Sequence, residues 1–142
     1  MSVVIVGAGP AGTRAAEVLV GAGLRPIVID EAQDSGGRIY QRQPAGFRRT
    51  ARALYGFEAA KAQAIHGIFD RLRPSFDFRP RTLAWNLRPG LIDTICDGRA
   101  GTVPFHQVIL CTGAMDRVIP LPGWTFRRCK TSFSPHRTGS AG

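Results

Sequence analysis

The stretch that decides the fold of this chain is VVIVGAGPAG, residues 3–12. Its first four residues are an unbroken run of β-branched side chains, which is typical of a strand buried on both faces. The glycines predict a tight turn, and Pro10 falls near the first position of a helix, where its missing N–H costs nothing. Gly21–Gly23 is expected to end that helix, and Pro26–Ile29 to form a second buried strand. The chain therefore begins with a predicted strand–helix–strand unit whose strands pair in parallel.

The glycines and the acid after the second strand have the spacing of a dinucleotide-binding site. Gly7, Gly9 and Gly12 form a GxGxxG motif, and Asp30 follows at the end of the next strand. Gly7 permits the turn, Gly9 lets the backbone approach a diphosphate, and Gly12 lets helix and strand pack closely. The free amides at the helix start attract the diphosphate. Asp30 is expected to accept hydrogen bonds from the ribose hydroxyls, and its charge disfavours a ligand with a 2′-phosphate.

Two further segments are expected near the same ligand. Gly36–Gly37 follows the second strand and would let the chain run close to a long ligand, with Arg38 or neighbouring amides meeting phosphate oxygens. Thr112–Gly113 ends a buried run at the edge of the sheet where ligands bind. Taken alone, each pattern is more typical of an ordinary loop or strand end. The acidic pair Asp30–Glu31 could likewise be plain surface.

The rest of the chain predicts an α/β fold with an added antiparallel sheet. Residues 31–50 are expected to be irregular, and a helix is expected over Glu58–Leu72. Turn residues separate Thr82–Leu87, Leu91–Cys96 and Ala100–Phe105, which predicts a three-stranded antiparallel meander. Gln107–Cys111 is a further buried strand. The apolar faces of the two helices are expected at Ala11, Ala15, Val18 and Leu19 in the first, and at Ala64, Ile65, Ile68, Phe69 and Leu72 in the second.

Composition narrows the class of protein further. The chain has 142 residues, a net charge of +9 and a hydrophobic fraction of 44%, which favour one globular domain over a disordered chain. Its three cysteines have neither CxxC nor metal-ligand spacing, so we expect a reducing cytoplasm and no metal site. Neither a signal peptide nor a membrane span is predicted. No base-reading motif accompanies the charge, so solvated surface is favoured over a nucleic-acid interface for the densest arginine group, Arg38, Arg42, Arg48, Arg49 and Arg52.

The motifs occur in the order seen in a known family of flavoproteins. VIDE at residues 28–31, GGRIYQRQ at 36–43, LYGFEAAKA at 54–62 and VILCTGAMDRVIPLPGW at 108–124 join the opening stretch and the meander. Together they resemble the glutathione-reductase-like, or pyridine nucleotide–disulfide oxidoreductase, superfamily. Within it they are similar to the FAD-binding subunits of opine oxidase, hydrogen cyanide synthase and related amino-acid dehydrogenases. The resemblance implies a Rossmann-like FAD-binding domain over residues 1–125, which is incomplete. Residues 126–142 have no periodicity and no apolar face, which predicts an irregular, disordered tail.

The resemblance also implies roles for individual residues around FAD. By position, the diphosphate would be held by the glycine motif, the adenosine ribose by the acidic pair, and the flavin side by the double-glycine segment and the turn after the last strand. These residues are Gly7, Gly9, Pro10, Ala11, Gly12, Asp30, Glu31, Gly36, Gly37, Arg38, Thr112 and Gly113. Cys111 stands where the family has alanine in that turn. The catalytic residues are not identifiable from the sequence.

The implied activity is oxidation of an amine, amino acid or opine-type substrate through flavin, and the implied partner is a second flavoprotein subunit. The sequence departs from the family in three respects. No cysteine pair follows Gly37, which disfavours dithiol chemistry, and both a second GxGxxG and the late glycine–aspartate segment of the FAD site are missing. These departures suggest a truncated or frame-shifted chain.

Three alternatives remain open at this point. The chain could be a nucleotide-binding module or remnant without turnover of its own. It could be a basic interaction protein that binds nucleic acid or another polyanion through its arginines. The strand–helix–strand unit alone would also suit NAD, although the later Thr-Gly turn and the meander favour FAD.

Overall fold

The computed structural model describes residues 1–44 and 46–114, so the predicted domain end at residue 125 and the tail lie outside the described residues. The described chain contains seven strands and three helices. In chain order they are β1 (Val3–Val6), α1 (Pro10–Gly21), β2 (Ile27–Ile29), α2 (Ala51–Tyr55), α3 (Ala59–Leu72), β3 (Asp77–Arg79), β4 (Thr82–Arg88), β5 (Leu91–Cys96), β6 (Arg99–Pro104) and β7 (Gln107–Leu110).

Four of these strands form a parallel sheet in the order β3-β2-β1-β7. The strands β4, β5 and β6 form a separate antiparallel meander. The predicted α/β class, with a parallel sheet, helices and a three-stranded meander, is confirmed. Because β1 has β2 on one side and β7 on the other, the carboxyl ends of β1 and β7 lie at the switch point of the sheet, where open α/β sheets bind ligands.

The two faces of the parallel sheet bury alternate residues of its central strands. Ile5 and Val28 pack with Ala16 of α1 and Phe69 of α3 on the helical face. On the opposite face, Val4 of β1 and Ile29 of β2 pack against Ile92 and Val103 of the meander. The β-branched run that predicted β1 is therefore buried by helices on one side and by a second sheet on the other.

The predicted helical faces need correction. Val18, expected on the apolar face of α1, is 71% exposed, and Ala11 is also exposed. The buried residues of α1 are Gly12, Thr13 and Ala16, because the close approach of Gly12 to β1 fixes which side of the helix meets the sheet.

The second predicted helix is also only partly right. Ala64 is exposed, and Ala62 is buried in its place. The residues Gly56–Glu58 form a 3-10 turn before α3 begins at Ala59. The short helix α2 was not predicted as a separate element.

One strand of the sheet was missed altogether. Strand β3 is three residues long, and only its central residue, Phe78, is buried. Its flanking residues are charged, so no apolar run marks it. The predicted strands of the meander and β7 are confirmed to within about one residue at each end. The burial predicted for β7 is wrong, because Leu110 is exposed and Val108 and Ile109 are only partly buried at this edge of the sheet.

Candidate functional site

The glycine loop connects β1 to α1 at the switch point of the sheet. Gly7 has a φ of +107°, and a Cβ at this position would lie 2.3 Å from the carbonyl oxygen of Cys111. A Cβ on Gly12 would lie 1.8 Å from the carbonyl oxygen of Gly7. Both distances are far below ordinary contact. Gly7 and Gly12 are therefore required by the packing of the loop itself, whatever it binds.

The start of α1 presents main-chain amides that no described residue pairs with. Its N-cap is Gly9, so no side chain caps the helix, and the first turn contains no acidic residue. Within residues 1–44 and 46–114, the N–H groups of Gly9, Ala11 and Gly12 have no hydrogen-bond partner. The N–H of Gly7, by contrast, donates to the carbonyl of Ile29 at 2.7 Å. Unpaired amides and the positive end of the helix dipole together favour an anion at this position.

Asp30 stands directly across from this loop. One carboxylate oxygen accepts a hydrogen bond from the N–H of Ala8 at 2.5 Å, and the other accepts from the N–H of Ala32 at 2.7 Å. The sequence placed Asp30 near the glycine loop, and the structure brings the two into contact. It also shows that the carboxylate is engaged by the protein itself.

The double-glycine segment, which comprises residues 36–43, contacts the glycine loop. Gly36 donates its N–H to the carbonyl of Ala8 at 2.9 Å. Gly37 has a φ of +60°, and a Cβ on it would lie 3.0 Å from the Cα of Gly9. The sequence explained these glycines by close approach of a ligand. The structure adds a second reason, which is that the two loops themselves meet here.

Arg42, which the sequence did not single out as a site residue, ties the double-glycine segment to α3. Its guanidinium donates to the hydroxyl of the buried Ser35, to the carbonyl of His66 and to both carboxylate oxygens of Asp70. It also lies 3.3 Å from the carboxylate of Asp34. Arg42 belongs to the arginine group that was predicted to be solvated surface. Nothing in the sequence indicates that it is partly buried and bonded to several residues.

A second set of contacts holds the same segment from its far end. The hydroxyl of Tyr40 donates to the carboxylate of Glu58 at 2.7 Å, and Lys61 pairs with Glu58 at 2.9 Å. The hydrogen bond from Tyr40 lowers the pKa of Glu58 and raises the pKa of the Tyr40 phenol. The ring of His66 meets the carbonyl of Tyr40 at 2.8 Å. The segment is therefore fixed to α3 on one side and to the glycine loop on the other.

The remaining predicted site residues are more exposed. Thr112 and Gly113 are exposed and lie just beyond β7, and the main-chain N of Thr112 would be 3.4 Å from a Cβ on Gly7. Glu31 and Arg38 are exposed, and neither side chain makes a hydrogen bond to the part of the chain that the structure describes. Burial raises the pKa of the Cys111 thiol, which disfavours a reactive thiolate. The structure thus places Asp30, the double-glycine segment and the turn after β7 around the glycine loop. Among the described residues, the side chains of Glu31 and Arg38 have no hydrogen-bond partner.

The residues present fit a dinucleotide such as FAD. Unpaired first-turn amides suit a diphosphate, and the carboxylate of Asp30 keeps acceptor positions beyond the two that the protein uses. Among the described residues, no three His, Cys, Asp or Glu side chains are placed to hold a metal ion. In the described ranges, none of the helices has the length and apolarity needed to span a membrane.

A family model described as pyridine nucleotide-disulphide oxidoreductase matches residues 1–138. This chain belongs to that family. The resemblance drawn from the sequence motifs is confirmed. The glycine loop, the acid after β2 and the meander all lie within the matched residues.

Individual relatives agree with the family. One of the opine oxidase subunits of Rhizobium meliloti is 34% identical over 139 residues, covering 92% of this chain and 26% of that protein. The HcnB subunit of hydrogen cyanide synthase from Pseudomonas protegens is 32% identical over 124 residues, covering 86% of this chain and 26% of that protein. The crystal structure of L-proline dehydrogenase from P. horikoshii matches with a TM-score of 0.64 at 24% identity, over 83% of this chain and 23% of that one. The chain thus spans about a quarter of the length of these relatives, and the structural match shows a shared fold.

Proposed function

We propose that this chain binds FAD as part of a flavoprotein oxidoreductase. The observation that carries the proposal is the set of amides at the start of α1 that have no partner among the described residues, in the loop that Asp30 holds through the N–H of Ala8. Family membership supports oxidoreductase chemistry, and the names of the relatives support an enzyme built from several subunits.

In this proposal each part of the site has a separate task. The amides of Gly9, Ala11 and Gly12 hold the diphosphate, with Pro10 fixing the direction of the first turn. The adenosine ribose lies at the Asp30–Glu31 pair. The flavin side of the cofactor runs along the double-glycine segment with Arg38, and past the turn formed by Thr112 and Gly113.

The proposed substrate is an amine, an amino acid or an opine. Bound flavin would supply the redox chemistry by accepting a hydride from the carbon that carries the substrate nitrogen. The chain's own residues bind and orient the cofactor. A second flavoprotein subunit is the proposed partner, and a reducing cytoplasm stays the predicted location.

A nucleotide-binding module without turnover is the second candidate. One observation favours it, which is that the Cys111 thiol beside the glycine loop is not activated, because burial raises its pKa. The carboxylate of Asp30 is itself engaged by the N–H groups of Ala8 and Ala32. Under this candidate the chain takes up FAD or ADP and transfers no electrons.

The test is a cofactor titration of the purified chain followed by an electron-transfer assay. We expect the visible absorbance of bound flavin, or its appearance on adding FAD, with ADP competing for the site and inorganic phosphate failing to compete. A colourless protein that does not take up added FAD would refute the proposal. Reduction of an artificial electron acceptor with amines, amino acids and opines then separates the two candidates, because only the first predicts turnover.

A further inference from the structure

We propose that Asp30 assembles the diphosphate-binding loop before any ligand arrives, and so acts as a positioning residue as well as a contact for ribose. This inference rests on the proposed function for the identity of the ligand. Its structural part concerns the protein alone and is tested without a ligand.

The carboxylate of Asp30 makes a pair of contacts with main-chain amides. One oxygen of Asp30 holds the N–H of Ala8, in the middle of the glycine loop, and the other holds the N–H of Ala32, in the segment after β2. Hydrogen bonds to a charged acceptor are among the strongest in proteins. A single side chain therefore links the loop after β1 to the loop after β2.

Asp30 itself is held in place by hydrogen bonds of its main chain. Its N–H donates to the carbonyl of Arg79 at 3.1 Å, and its carbonyl accepts from the N–H of Thr82 at 2.9 Å. These bonds attach Asp30 to the end of β3 and to the start of β4. The carboxylate consequently reaches the glycine loop from a base fixed by two neighbouring strands.

The amides of the glycine loop differ in whether the protein pairs them. Ala8 is occupied by Asp30, whereas Gly9 and Ala11 have no partner among the described residues. By holding Ala8, the carboxylate is proposed to fix the orientation of the peptide units that follow it. The amides that follow are thus left for a diphosphate, and the Ala8 amide is not one of its donors.

The substitution Asp30→Asn separates this role from simple charge. An asparagine side chain has one acceptor oxygen, and its NH₂ group would face an amide that also donates. It can hold Ala8 or Ala32 but not both. The control is Glu17→Gln, which removes the same charge from an exposed ion pair on α1, away from the loop.

The experiment measures amide hydrogen exchange by NMR in the chain without nucleotide. In the unmodified chain we expect the Ala8 amide to exchange about tenfold or more slowly than the amides of Gly9 and Ala11. In D30N the Ala8 amide should exchange at the rate of those neighbours, while the amides of β1 keep their protection. E17Q should leave all three amides unchanged.

A titration with inorganic pyrophosphate, which has no ribose, measures an affinity to which a ribose contact cannot contribute. Loss of loop positioning should weaken pyrophosphate binding in D30N. Removal of a negative charge on its own would strengthen it.

The outcomes separate the inference from the proposed function. Rapid exchange of Ala8 in the unmodified chain, or a protected Ala8 in D30N, would overturn the positioning role. If D30N does not fold, the comparison of Ala8 with Ala11 in the unmodified chain decides the point alone. A slow Ala8 amide combined with no uptake of FAD or pyrophosphate would support the positioning role and reject the proposed ligand.

Discussion

The substitution Gly9→Ala should separate the ligand site from the fold. Gly9 has a φ of −72° and a ψ of −172°, a conformation that alanine adopts without strain. An added Cβ would lie 3.7 Å from the Cα of Gly37, which is an ordinary van der Waals distance. The new methyl group would therefore fit between the two loops, in the space that the diphosphate is proposed to approach.

Its expected effect on stability is small and favourable. Replacing glycine with alanine at a compatible position stabilises a protein by about 0.4–1 kcal/mol, because the unfolded chain loses freedom. Gly12→Ala is the matched comparison, since its Cβ would lie 1.8 Å from the carbonyl oxygen of Gly7. Backbone must move to relieve that overlap, at a cost of about 1–3 kcal/mol or more out of a typical total of about 5–15 kcal/mol.

The expected effect of G9A on binding is large and unfavourable. Loss of even one hydrogen bond to a charged diphosphate removes about 1.5–3 kcal/mol, so the affinity for FAD should fall about tenfold or more. Thermal unfolding by circular dichroism gives the stability, and flavin fluorescence during a titration gives the affinity. Equal affinity of G9A and the unmodified chain for FAD, or a loss of thermal stability in G9A as large as that in G12A, would contradict this separation.

Three other perturbations test the core, the contacts of Arg42 and the meander. Phe69→Ala should lower the free energy of unfolding by about 3–5 kcal/mol, because its buried ring packs edge-on against two other phenylalanines. Phe57→Ala, at a residue 87% exposed, should change it by less than about 0.5 kcal/mol. Equal losses of stability for the two variants in a denaturant titration would contradict this prediction. Arg42→Ala should lower the free energy of unfolding by about 1–3 kcal/mol and weaken FAD binding, and calorimetry showing no destabilisation would contradict this role of Arg42. Hydrogen bonds from Arg88 and then Asn86 lower the pKa of Asp93, so its carboxylate stabilises the fold above the ordinary pKa, and that contribution is lost as the pH falls through the lower folded value. Asp93→Asn should therefore melt below the unmodified chain at neutral pH, with a gap that closes as the pH falls below about 4, and a gap independent of pH would count against this sign.

The sequence was sufficient to predict the elements that local pattern specifies. The β-branched run of β1, the glycine turn and the proline at the start of α1 each have a distinct local signature, and all three are confirmed. The turns Arg88–Gly90 and Asp97–Arg99 likewise set the meander, with Gly90 and Gly98 both at positive φ. In these places the backbone conformation demands particular residue types, so the sequence carries the information directly.

Features that depend on contacts between distant segments were not predictable in the same way. Strand β3 forms because β2 offers it an edge, and its own three residues carry almost no pattern. Arg42 bonds to residues that are 24 and 28 positions away along the chain, so its role arises only once α3 packs beside the double-glycine segment. The exposed face of α1 was misjudged for the same reason, since the approach of Gly12 to the sheet decided it.

The glycine motif is a composite of requirements that the sequence presents as one signal. Gly7 and Gly12 are fixed by contacts within the protein, at distances that no Cβ could tolerate. Gly9 alone has both an ordinary backbone conformation and room for a methyl group, so the fold gives no reason for its lack of a side chain. Two of the three glycines thus specify the strand–helix unit, and the third is the one that a ligand explains. It follows that GxGxxG in its strand–helix context predicts the fold more securely than the ligand, and that Gly9 is the position where ligand binding can be tested without disturbing the fold.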